Sequence, residues 1–207
     1  MPDSLILTHG AGSNRDAPLL VALDTALRAV GLDVVRMNLP FREARPTGPP
    51  RQGDPERDRQ GLAAAVQRAR LEYGGKVFLG GHSYGGRQCS MLAAEQPELA
   101  SGLLLLSYPL HPPRRPDQTR TAHLPNLRTP ALFVHGTRDP FGSIDELKAA
   151  LALSPGRTGL LAVEGAGHEL ASRRGAALAE IAQRIVTELV RFFNINSQPF
   201  MRELSGI

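Results

Sequence analysis

The chain has 207 residues, 42% of them hydrophobic and 21% charged, and a formal net charge of +4 at pH 7. This is the composition of a globular protein, long enough to bury its core as a single domain over residues 1–207, and the densest apolar run, 103–106, is far too short for a membrane span. Nearly all the positive charge is arginine, interleaved with acids as in Arg57-Asp58-Arg59; with no nucleic-acid motif or stacking aromatics beside it, a solvated surface is expected, with no nucleic-acid partner.

Residues 5–8 form a short apolar strand candidate, followed at once by His9-Gly10-Ala11-Gly12-Ser13-Asn14. The polar turn leaves no room for the apolar region of a signal peptide, and a cytoplasmic protein is expected. Asp16 is placed to cap a helix that begins near Pro18, carries Leu20, Leu23, Leu27 and Val30 on one side, and stops at Gly31. Residues 34–38 read as a second strand, which makes a parallel βαβ unit. Five prolines between 39 and 56 predict an irregular loop. Arg42 and Arg45 stand on it, readable as surface arginines or as holders of an anionic substrate group.

A helix over 57–73 follows, then an apolar strand over 76–80 that runs into Gly81-His82-Ser83-Tyr84-Gly85. The helix over 84–96 carries the sole cysteine, Cys89, which forbids an internal disulfide and suits a reducing compartment. Residues 103–106 are the fourth strand. Residues 108–128 are proline-rich, too short and broken for a large helical lid, so an open site is expected. Strands over 131–134 and 159–163 enclose a helix over 144–153, and a last helix covers 175–193. Strands alternating with helices define the α/β class, a doubly wound, mostly parallel six-stranded sheet.

Gly81-His82-Ser83-Tyr84-Gly85 fits Gly-x-Ser-x-Gly, in which a strained strand-to-helix turn lifts a serine out of the backbone. The residues two before and two after that serine must be small, and both are glycine. Ligands of such sheets sit beyond the carboxyl ends of the strands. Ser83 follows the third strand, Asp139 the fifth and His168 the sixth. A serine hydroxyl is a poor nucleophile near neutral pH, so His168 would take its proton, and Asp139 would orient His168 and stabilise its charge. Asp145 is a fallback acid but falls within a helix. Charge on the substrate oxygen would be met by the backbone N–H groups of Ala11 and Tyr84. His9 and Gly10 border the same site, His9 as the residue that orients the first loop. No local histidine spacing suits a metal, so neither metal nor cofactor is expected.

The motif around Ser83, THGAGSN at 8–14 and HGTRDPF at 135–141 resemble the serine α/β-hydrolase superfamily, near its dienelactone-hydrolase-like branch. LPFRE at 39–43 and SYPLHPP at 107–113 look most like the hydrolase-like domains typified by testis-expressed protein 30 and subunit 3 of the nonspecific-lethal chromatin complex. The resemblance covers about residues 4–193. It implies the α/β-hydrolase fold, carries a catalytic triad onto Ser83, Asp139 and His168, and implies a minimal sheet that lacks the first two strands of the full fold. Dienelactone hydrolases use cysteine where this chain has Ser83, so their substrate does not carry over.

The reading that results is a serine hydrolase cleaving a carboxylic ester, lactone or thioester of a small-molecule acyl substrate through an acyl-enzyme. An amide or peptide hydrolase uses the same machinery, and a non-catalytic interaction module could retain the same fold.

Overall fold

The computed structural model describes residues 1–170 and 178–195. Six strands form one sheet: β1 (Ser4–Thr8), β2 (Asp33–Met37), β3 (Val77–His82), β4 (Gly102–Leu106), β5 (Ala131–Gly136) and β6 (Thr158–Val163). Their order is β2-β1-β3-β4-β5-β6, and every pairing is parallel. The helices are α1 (Pro18–Ala29), α2 (Pro40–Ala44), α3 (Asp54–Tyr73), α4 (Tyr84–Glu95), α5 (Ile144–Leu151) and α6 (Leu178–Phe193), with a 3-10 turn at Leu124–Asn126.

Strand side chains alternate between the two faces of a sheet, so unbroken apolar strands must be covered on both. Leu5, Leu7, Leu104, Leu106, Leu132 and Val134 pack under α1 and α6 on one face. Ile6, Leu79, Leu103, Leu105 and Phe133 pack with residues of α3, α4 and α5 on the other. Each central strand thus feeds two cores, and the sheet is the wall between them. This is the doubly wound architecture expected from the alternating pattern.

The differences from expectation lie at element ends. Residues 39–56 are not wholly irregular: Pro40 opens α2 and Pro55 lies in the first turn of α3. Proline lacks only an N–H that a first helical turn leaves unpaired anyway, so it starts helices as readily as it breaks them. Asp16 does not cap α1. Ala17 is the N-cap residue and makes no side-chain cap bond, while Asp16 Oδ1 accepts from Arg36 Nη1 at 2.9 Å. Gly31 does end that helix, with φ +88°. The segment 108–128 holds no element beyond the 3-10 turn, and among the described residues no large lid covers the strand ends. No helix among the described residues is long and apolar enough to cross a membrane. The helix predicted to begin at 175 is described from Leu178; its first three residues fall outside the described range.

Candidate functional site

β3 runs to His82, two residues further than its apolar run, and α4 starts at Tyr84. Ser83 alone makes the turn. Its φ of 51° and ψ of −116° are a strained pair for a residue with a side chain, of the order of 1–3 kcal/mol that the surroundings must offset. Glycines permit it. A Cβ on Gly81 would stand 2.7 Å from Gly85 C, and one on Gly86 would stand 2.5 Å from Gly81 O. Gly85 is small for a second reason: a Cβ there would meet His9 O at 2.5 Å, so the loop after β1 lies directly on the turn.

β5 and β6 deliver the partners. His168 Nε2 is 2.8 Å from Ser83 Oγ, and His168 Nδ1 is 2.8 Å from Asp139 Oδ2. A carboxylate only accepts, so Nδ1 carries the proton and Nε2 is left to accept from the Ser83 hydroxyl. Asp139 is fully buried at its side chain, His168 only 17% exposed. The second Asp139 oxygen accepts the Phe141 N–H at 2.9 Å. Asp145, the alternative acid, is exposed and pairs with Lys148 at 3.3 Å, away from the histidine.

Two further residues hold the imidazole. The Phe141 ring lies 4.2 Å from that of His168 at 31°. His82 Nε2 donates to the His168 carbonyl oxygen at 2.8 Å, and burial lowers the His82 pKa, which keeps that ring neutral. The signal for Phe141 was its place two residues after Asp139, where a turn folds back over the strand ends. For His82 the signal was its place beside the serine.

The loop after β1 is fixed from two sides. Leu39 N donates to His9 Nε2 at 3.1 Å, so His9 carries its proton on Nδ1 and donates it to Gly10 O at 2.8 Å. Burial lowers its pKa, so His9 is a neutral support of the loop. Arg42 does not await a ligand. It is buried and donates to the carbonyl oxygens of Ser13, Ala11, Pro46, Gly48 and Arg45 at 2.7–3.2 Å. The expectation that it holds an anionic substrate group is corrected: its donors are spent on the main chain. Arg45, its neighbour, pairs with buried Asp54.

Gly10 sits where an added Cβ would be 3.4 Å from Ser83 Cβ, which brings the Ala11 turn to the nucleophile. Among the described residues the Ala11 N–H donates to no other backbone group, and the Tyr84 N–H belongs to a first helical turn, which has no intrahelical acceptor. Both donors are therefore available. The Tyr84 side chain is tied down: its hydroxyl donates to Asp58 Oδ2 at 2.7 Å and its ring meets Phe41 edge-on at 5.6 Å. A recess of about 230 Å³, lined in part by His9, Gly10, Leu19, Leu20 and His82, opens beside the loop. Among the described residues no three His, Cys, Asp or Glu side chains converge as metal ligands.

A doubly wound parallel sheet with a serine, an acid and a histidine, in that chain order, after the third, fifth and sixth strands defines the class of α/β hydrolases. The chain belongs to the alpha/beta hydrolase domain family, whose profile matches residues 2–194. Among solved structures it resembles a dienelactone hydrolase from Anabaena variabilis, at 22% identity and a TM-score of 0.73, over 92% of this chain and 87% of that one. It resembles Est1E from Butyrivibrio proteoclasticus, solved with ferulic acid bound, at 16% identity and a TM-score of 0.72, over 94% and 90%. A serine hydrolase without a lid from Xanthomonas campestris matches at 19% identity and a TM-score of 0.68, over 92% and 81%. At these identities the likeness is one of fold.

Proposed function

We propose that this protein is a serine hydrolase that cleaves a carboxylic ester, lactone or thioester through an acyl-enzyme, with residues 1–207 acting as one domain. One observation carries the reading: the unbroken chain from Ser83 Oγ through His168 to Asp139, both links at 2.8 Å. Ser83 attacks the carbonyl carbon while His168 Nε2 takes its proton; the proton then passes to the departing alkoxide or thiolate. Water repeats the cycle and frees the acid. Ala11 and Tyr84 N–H groups meet the negative charge on the carbonyl oxygen, and Asp139 steadies the imidazolium. The recess of about 230 Å³ is small for a ligand cavity and suits a short chain. The LPFRE and SYPLHPP stretches support placing the chain near the testis-expressed protein 30 group.

The test is labelling with a fluorophosphonate probe. Wild-type protein should be labelled and Ser83→Ala should not; a folded wild type that resists the probe, or equal labelling of both, sinks the proposal. A panel of esters beside short peptides then fixes the bond class, and a clear preference for peptides would overturn the ester reading.

A further inference from the structure

We propose that Arg87 and Arg120 form an anion subsite beside Ser83, and that the ester taken there carries a carboxylate a short chain away from the scissile carbonyl. The proposal deepens the hydrolase reading and rests on it for the reaction, though not for binding.

Arg87 follows Ser83 by one helical turn, its N–H donating to Ser83 O at 2.9 Å. Helical side chains lean toward the N-terminus, and positions i and i+4 share a face, so Arg87 leans toward the serine. Among the described residues its guanidinium pairs with no carboxylate, the Tyr108 hydroxyl lies within its reach, and its Nε is buried without a partner. That is costly, because a buried donor left unsatisfied loses about 1–3 kcal/mol of desolvation. Elsewhere the fold supplies acceptors for half-buried arginines: Arg45 has Asp54, Arg36 has Asp24, Arg59 has Glu95, and Arg42 has its carbonyls. Arg87 is the departure from that pattern.

The loop after β4 brings a second guanidinium to the same place. Ser90, one turn further along α4, is 2.8 Å from His123 Nε2. Tyr108, whose ring lies 6.4 Å from that of His123, donates its hydroxyl to Arg120 O at 2.6 Å. Arg120 spends one side-chain donor, on Pro109 O at 3.1 Å, and keeps the rest. Burial, and then the charge on Arg87, disfavour positive charge on His123 and hold it neutral, which leaves two cations about Tyr108 beside a neutral imidazole. Two guanidinium forks with spare N–H groups match a carboxylate. A helical turn of about 5.4 Å separates Arg87 from Ser83, which sets the spacing at a few methylenes.

The probes are monoethyl glutarate and its neutral counterpart ethyl pentanoate, bound calorimetrically to the Ser83→Ala protein, which cannot turn them over. The half-ester should bind at least about tenfold tighter than the neutral ester, and adding Arg87→Gln or Arg120→Gln should remove most of that preference, as expected for lost bonds to a charged group. Equal affinity for the two esters, measured with both arginines intact, overturns the subsite whatever the variants do. A preference that survives both substitutions overturns it as well. If wild-type Ser83 resists fluorophosphonate while the half-ester still binds through the arginines, the hydrolase reading falls and the anion site stands.

Discussion

Arg42 Nη2 donates to the carbonyl oxygen of Ala11 at 2.7 Å, and its Nε donates to that of Ser13 at 2.8 Å. In the proposed mechanism the donor from this loop is the Ala11 N–H, which Arg42 would aim from behind without touching substrate. Arg42→Ala should lower kcat by about 10–10², less than the 10²–10³ of losing an oxyanion donor outright. KM should move little. Arg42→Lys should not rescue, since one ammonium cannot span several carbonyls. Steady-state ester hydrolysis on variants checked for native circular dichroism decides it, and a lysine variant with full kcat would refute the clamp.

The acid can be assigned by a paired substitution. Asp139→Asn removes the carboxylate that fixes the tautomer of His168 and should cost about 10³–10⁴ in kcat, the size of loss seen for this step in serine triads. Asp145→Asn should cost nothing measurable, because that side chain is exposed and, among the described residues, pairs with Lys148 alone. The reverse ranking would move the acid to α5.

Strand and helix identities were legible because apolar runs and 3.6-residue periodicity are local. So were Ser83, Asp139 and His168, since each lies at a strand end in an order that one architecture demands. Arg42 was misread because its partners lie three to six residues onward and about thirty residues back, and an arginine on a proline-rich stretch carries no trace of them. Arg87 was passed over for the opposite reason: its oddity is a buried Nε without a partner, which no sequence displays. The proline-rich stretch 39–56 misled because proline's missing N–H is harmless in the first turn of a helix, and sequence alone does not say which prolines occupy one.

The ring of Tyr84, given no role beside its backbone N–H, acquires one through Asp58. That carboxylate accepts from Tyr84 at 2.7 Å and from the Phe41 N–H at 2.9 Å, so it joins α4 to α2 and α3 behind the serine. Tyr84→Phe strands a buried oxygen and should destabilise the fold by about 1–3 kcal/mol. Urea unfolding reads this directly; an unshifted midpoint would show that Asp58 finds another donor.

His123 gives stability a pH dependence of predictable sign. Burial, and then the charge on Arg87, lower its pKa from 6.5 to about 4. Between those values the unfolded chain binds a proton that the folded chain refuses, so stability is full above pH 6.5 and falls as pH drops toward 4. His9 and His82 are shifted in the same direction, both chiefly by burial, and add to the slope. His123→Gln keeps a donor for Ser90 but cannot titrate, so its urea midpoint should fall less than that of wild type between pH 7 and 5. That window stays above the range in which Asp54, held at about 2 by the Arg51 N–H and then by the Arg45 guanidinium, begins to lose its charge. Parallel midpoint curves for the two proteins would mean that His123 is protonated in the folded state. The cation pair Arg87 and Arg120 would then face a third positive charge.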